Sequence, residues 1–240
     1  MALKSDITKV EVLAFDVFGT VVDWHGSIVR EIKRFGCPVN ASEFARSWRD
    51  GYQPAMEQVR SGKQGWTKID TLHRQILNQV IDDYGLSINE ADRTTLNRIW
   101  HRLDPWPDAV QGLSRLKAAY SICTLSNGNL SLLSNMAKHA GLPWDLILSA
   151  EVFKAYKPQS ETYLGVADVF DVEPERVMMV AAHRSDLDAA QQYGLKTAYI
   201  ERPAEYGVDQ IKDVNADSKY DVHAKDFMDL ATQMSDRVAV

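Results

Sequence analysis

Short apolar runs of strand length recur along the chain, in "VEVLAFDV", "SICTLSN", "LILSAEV", "VMMVAAH" and "LKTAYIE", and segments with apolar positions at helical spacing lie between them. Apolar residues fill these runs continuously instead of alternating with polar ones, which predicts strands buried on both faces. Strands that alternate with helices in this way predict a parallel sheet covered on both sides. Each run ends in polar residues at its carboxyl end, the edge at which open parallel sheets carry their sites.

The regular alternation breaks once. The first strand is predicted to end at Asp16, yet the second begins only near Ser121. Between them, from about Asp23 to Trp106, "GSIVREIKRFG", "ASEFARSWRDGYQPAMEQVR", "TKIDTLHRQILNQVIDDYG" and "NEADRTTLNRIWHRL" all carry helix-period apolar positions, punctuated by Gly36, Gly85 and "DPWPD". Ser42 with Glu43, and Asn89 with Glu90, supply N-terminal capping and acidic first-turn signals. The expected fold is α/β: a Rossmann-like parallel sheet core, residues 1–22 and 107–240, with an inserted helical cap domain, residues 23–106. A helical module that leaves a sheet after its first strand overhangs the carboxyl ends of the strands and can act as a lid.

Composition narrows the partners. At 240 residues and 45% apolar content the chain can bury a substantial core, and a formal charge of -6 gives no basic field for nucleic acid or an anionic membrane. "MALKSDITKV" has no signal-peptide run and no stretch reaches the length of a membrane span, so a cytoplasmic protein is expected. Cys37 and Cys123 lack the spacing of a metal or redox pair and read as buried thiols. The sequons at Asn40 and Asn129 read as chance matches.

Four strand ends bring charged and polar residues to one place: Asp16 and Thr20 from the first, Ser126 and Asn127 from the second, Lys157 from "KAYKPQ", and His183 and Asp186 from "AAHRSDLD". An Asp at a tight Gly-containing turn faces free backbone N–H groups that can bind an anionic substrate beside it. Lys157 precedes Pro158, which suits a first helical position, and a lysine so held keeps Asp16 ionised. Each residue alone also fits an ordinary structural part, as a cap, a turn former or a solvated charge. Their shared order and placement argue for a site.

"DVFGT", "LSNGN", "YKP" and "VAAHRSDLDAA" together resemble the four motifs of the haloacid dehalogenase superfamily of hydrolases, and the helical insert resembles the cap of its type II (S)-2-haloacid dehalogenases. The resemblance implies that Asp16 is a covalent nucleophile, that Ser126 and the backbone from Val17 to Thr20 bind substrate, and that Lys157 pairs with the nucleophile. Arg49, in "RSWRDGY", and Asn127 match the halide-binding residues, and Tyr163 matches an active-site tyrosine. The implied reaction is hydrolysis of short 2-haloacids, fluoroacetate included, to 2-hydroxy acids through an aspartyl ester, with inversion and with no metal or other cofactor. The resemblance also favours the S enantiomer, and homodimers are common in the family.

Most members of the superfamily are magnesium phosphatases, and that alternative stays open. Two departures weigh against it. Phe18 stands where a phosphatase has the acid that protonates an alkoxide, which a halide can do without. Ala181 and Ala182 stand where its metal-binding motif has a Gly and an Asp, leaving Asp186 alone. A third departure separates the chain from well-known dehalogenases: Ala181, Ala182, His183, Arg184 and Ser185 replace "SSN" and an aromatic. His183 is free by type to bond Asp16, the attacking water or the halide, and with Ser185 is expected to reshape the halide site towards a smaller ion such as fluoride. Asp186 is the expected activator of water, with His183 assisting.

Overall fold

The computed structural model describes residues 7–238, so the outermost parts of the expected core, 1–6 and 239–240, lie outside the described residues. A six-stranded parallel sheet is built from β1 (Val12–Phe15), β4 (Ser121–Ser126), β5 (Leu146–Ser149), β6 (Val177–Ala181), β7 (Lys196–Ile200) and β8 (Val222–Ala224), in the order β5-β4-β1-β6-β7-β8. β1 lies between β4 and β6, with Leu13 opposite both Ile122 and Met178. The chain fills one side of β1 with β4 and β5, then crosses to the other with β6, β7 and β8. The strand order therefore reverses beside β1, where open α/β sheets form a crevice at the carboxyl ends. Val12, Leu13, Ala14 and Phe15 are all buried, as the unbroken apolar run requires.

Helices cover both faces: α6 (Ala109–Lys117), α7 (Leu130–Ala140) and α11 (Phe227–Val238), and α9 (Ser160–Phe170) with α10 (Arg184–Gln192). α6 and α11 approach closely at Gly112, where a Cβ would run into Phe227. The long interruption is helical: α1 (Trp24–Phe35), α2 (Ala41–Asp50), α3 (Tyr52–Arg60), α4 (Ile69–Asp83), α5 (Glu90–Asn97) and a 3₁₀ turn at Arg98–Arg102. A two-stranded antiparallel ribbon, β2 (Val22–Asp23) with β3 (Asp104–Pro105), joins the two ends of this segment, and no apolar run announces it. Trp48, Tyr52 and Trp100 are buried within the chain, and Trp66 packs half-buried near Tyr156.

Local expectations needed correction in five places. The cap of α2 is Asn40, whose side chain accepts from the amides of Ser42 and Glu43, so one dismissed sequon residue is the helix signal and Ser42 is not. "LILSAEV" leaves the sheet at Ser149, whose side chain caps the short helix α8 (Ala150–Phe153). The Lys157–Pro158 peptide is cis and α9 begins at Ser160, so Pro158 precedes the helix instead of opening it. β8 is an additional strand, too short and too near an irregular stretch to show as a run. Of the two free thiols, Cys123 is buried and Cys37 only half-buried.

Candidate active site

The turn after β1 sets the site. Gly19 sits at φ +86°, a backbone conformation that glycine adopts without a Cβ clash, and this lets the chain reverse directly behind Asp16. Thr20 comes back under the carboxylate, donating its hydroxyl to Asp16 Oδ2 at 2.8 Å and accepting from the Ala182 amide at 2.9 Å. The end of β1 is thereby tied to the end of β6.

Lys157 reaches Asp16 from the loop before α9, with Nζ 3.0 Å from Oδ1, and also donates to Asp186 Oδ2. Its backbone is fixed by the Asn127 side chain, whose Oδ1 accepts from the Lys157 amide at 2.9 Å. Tyr163 donates to Asp186 Oδ1 at 2.7 Å. Both oxygens of Asp186 are thus engaged, which fits an anchor for Lys157 and Tyr163 better than the expected activator of water.

On the other side of Asp16, the ring of His183 lies between two carboxylates: Nδ1 is 2.9 Å from Asp16 Oδ2 and Nε2 is 2.8 Å from Glu205 Oε1. Glu205 is fully buried in the long connection between β7 and β8. Lys212 Nζ donates to its Oε2 at 2.8 Å, and Trp24 Nε1 to its Oε1 at 3.3 Å. Asp186, Lys157, Asp16, His183, Glu205 and Lys212 form a chain of alternating charge. Such alternation offsets the cost of taking so many ions out of water.

The protonation states follow. Burial raises the Asp16 pKa, but the Lys157 charge and the His183 and Thr20 hydrogen bonds outweigh it and hold the carboxyl far below the usual carboxylate range. Burial alone would lower the His183 pKa; the Glu205 charge and the contacts with Asp16 raise it to about 9. Glu205 is itself drawn down to about 2 against its burial, by His183 and then Lys212. For Asp186, burial and then the charge of Asp16 push upward against Lys157.

These groups open on a cavity of about 510 Å³ lined by Asp16, Phe18, Asn127, Lys157, Pro158, Tyr163, His183, Ser185 and Asp186, and from the helical segment by Arg49, Asp50, Tyr52 and Gln53. Tyr206 completes the wall. Arg49 lies over the Tyr52 ring at 4.1 Å, and its buried Nε has no hydrogen-bond partner. Phe18 packs edge-on to Trp100, ring centres 5.6 Å apart, so the wall beside Asp16 is apolar. Of the residues expected at the site, the structure gathers Asp16, Phe18, Arg49, Asn127, Lys157, Tyr163, His183 and Asp186 around one cavity. Val17, Thr20 and Ser126 are buried behind its wall, and the Ser126 hydroxyl oxygen accepts from the Gly128 amide at 3.1 Å. His183 faces two carboxylates and not the halide candidate Arg49. Glu205 and Lys212 were not foreseen. Among the described residues no cluster of three or more His, Cys, Asp or Glu side chains is placed to hold a metal ion, and no helix is long and apolar enough to cross a membrane.

A strand-end aspartate paired with a lysine at the switch point of a parallel sheet, with a helical segment over it, defines an enzyme of α/β fold with an aspartate-centred site. The chain belongs to the haloacid dehalogenase-like hydrolase family, whose model matches residues 10–194. (S)-2-haloacid dehalogenase 4A of Burkholderia cepacia is 29% identical over 206 residues, 83% of this chain and 88% of that protein. Among solved structures, an L-2-haloacid dehalogenase superposes with a TM-score of 0.91 at 43% identity, covering 95% of this chain and 99% of that one. A defluorinating L-2-haloacid dehalogenase superposes with a TM-score of 0.91 at 41% identity, covering 98% and 100%.

Proposed function

We propose that the protein hydrolyses short 2-haloacids to 2-hydroxy acids through an ester on Asp16, with inversion at carbon and without a metal. The observation that carries this reading is the pairing of a buried, ionised carboxylate with a cationic anion acceptor across one cavity: Asp16, held charged by Lys157, and Arg49, whose Nε has no partner of its own. The Burkholderia cepacia relative and the two similar solved structures, each named as a 2-haloacid dehalogenase, support it.

In the first step Asp16 attacks C2 from the face opposite the halogen, and the halide leaves towards Arg49 and Asn127. A guanidinium among Tyr52 and Trp24 offers fixed donors in an environment of low polarity, where they stabilise a departing anion more than in water. No acid is needed for such a leaving group, consistent with Phe18 beside the nucleophile. The substrate carboxylate is placed at the backbone following Asp16, with Ser126 behind it. In the second step water attacks the ester carbonyl, releasing the hydroxy acid and restoring Asp16. Residues 23–106 serve as a cap that shuts water out during the first step. Fluoroacetate is included among the substrates: one of the two similar solved structures is of a defluorinating enzyme.

The test is a halide-release screen over fluoro-, chloro- and bromoacids in the presence of a chelator, with Asp16→Asn as the blank. Halide release that survives chelation and vanishes in the variant is expected. Phosphate release from phosphomonoesters that stops on chelation, with no halide from any acid, would instead establish the magnesium phosphatase.

A further inference from the structure

Glu205 has no part in the two steps above, yet it is fully buried and held at both oxygens. It lies beyond residues 10–194, the part of the chain that the family model matches. The turn behind Asp16 is shaped to admit it, since a Cβ at Gly19 would run into the Glu205 carboxylate. A carboxylate needed only to pair with Lys212 has no reason to be buried against the back of the nucleophile's turn.

We propose that Glu205 is a positioning residue for ester hydrolysis, and that the His183–Glu205 pair, in place of Asp186, moves the proton in that step. The proposal rests on the reading of Asp16 as the residue that carries the ester. His183 Nδ1 already lies 2.9 Å from Asp16 Oδ2, and Glu205 fixes the far side of the ring so that Nδ1 faces the carbon that water attacks. Asp186 is badly placed for the same duty, with Lys157 on one oxygen and Tyr163 on the other.

At rest the ring carries both protons, one shared with Asp16 and one with Glu205. As an Asp16 oxygen forms the new bond to C2, the C–halogen electron pair leaves with the halide and the carboxylate loses its charge. The ring then faces one anion fewer, holds its Nδ1 proton less tightly and releases it to solvent. Water adds to the ester carbon while Nδ1 takes its proton. The C–O bond to the hydroxy acid breaks, and that proton passes to the departing oxygen. Asp16 emerges as a carboxylic acid and returns its proton to Nδ1, restoring the resting pair. The sum is one water consumed, and one hydroxy acid, one halide and one proton produced. Besides Asp16, Glu205 and Lys212, the charged groups that face the ring's surroundings are Lys157 on the far oxygen of Asp16, Asp186 on α10, and Arg49 and Asp50 across the cavity, while the neighbouring Arg184 turns to the Asn215 carbonyl.

The experiment compares wild type with Glu205→Gln, which keeps the shape and an acceptor oxygen but not the charge, using 2-chloropropionate in rapid-quench halide assays and intact-protein mass spectrometry. The variant is expected to release one equivalent of halide in a burst near the wild-type rate, accumulate the ester on Asp16, and turn over roughly 100-fold more slowly. Its His183 ring, followed by NMR, is expected to titrate at lower pH than in wild type. Equal slowing of burst and turnover, or no ester accumulation, overturns the proposal. If Glu205→Gln does not fold, Lys212→Met replaces it: ester accumulation supports the proposal, and wild-type turnover with none overturns it. A wild type that releases no halide from any acid refutes the proposed function instead, before the variants are compared.

Discussion

The protonated state of His183 makes a prediction about stability. Its pKa is raised from 6.5 to about 9 in the folded protein, because Glu205 and Asp16 hold its charge against the effect of burial. Between those two values the folded state binds a proton that the unfolded state has released. The stabilisation is therefore fully present below pH 6.5, declines as pH rises, and is gone above about 9. At about 1.4 kcal/mol per pH unit, the window carries about 3 kcal/mol. The perturbation is His183→Asn, which removes the titrating ring. Unfolding free energies from denaturant titrations of both proteins, at pH values from 6 to about 9.5, give the difference between them, in which groups common to both cancel. That difference is expected to shrink by about 3 kcal/mol across the window. A difference that stays constant to within about 0.5 kcal/mol, or that changes only below pH 6.5, refutes the assignment of a charged ring between two carboxylates.

Further outcomes are expected. Asp16→Asn abolishes halide release but folds, since Lys157 keeps Asp186 and His183 keeps Glu205; halide assay and circular dichroism check the two halves. Arg49→Met lowers chloride and bromide release by roughly 100-fold or more, the loss seen when a fixed donor to a developing anion is removed, and steady-state kinetics measures it. Thr20→Val destabilises by about 1–3 kcal/mol because the buried Ala182 amide loses its acceptor, which denaturant unfolding reads directly. Gly112→Ala forces α6 from α11 at Phe227 and costs about 1–3 kcal/mol in the same measurement, without changing the pH dependence of activity.

The legible parts of the fold were those in which one physical cause dominates. β1 and β6 are buried on both faces and so read as unbroken apolar runs, β4 and β7 read nearly so with the buried Thr124 and Thr197 inside them, and the helices between β2 and β3 show their buried stripe. β2, β3 and β8 exist through their pairing partners, Pro105 opposite Val22 and Ala198 opposite Val222, and carry no pattern of their own. At the site, Asp16, Lys157 and Asp186 follow strand ends and were visible from order alone. Arg49 is one arginine of several in the helical segment and stands out in the sequence through the resemblance of "RSWRDGY" alone; the structure separates it physically from Arg46, which bonds the Tyr206 carbonyl and Asp209, and from Arg60, which bonds the Lys157 carbonyl. Glu205 has no local signal, because "RPAEYG" resembles an exposed turn, and nothing near it reports that Gly19, so distant in sequence, leaves room for its carboxylate. A sequence signal did exist in the departure itself: a histidine in place of the asparagine of related enzymes asks for an acidic partner on its far side.

The stretch that joins β7 to β8 has a practical consequence for protein engineering. Glu205, Tyr206, Asp209 and Lys212 all lie on it, and through Arg46 it grips α2 while bracing His183 from behind. A chimera that grafts a foreign helical segment onto this sheet, or a mutant library confined to the four strand-end motifs, would leave those grips mismatched. Substrate range is better retuned by exchanging the helices and this connecting stretch together as a single cassette.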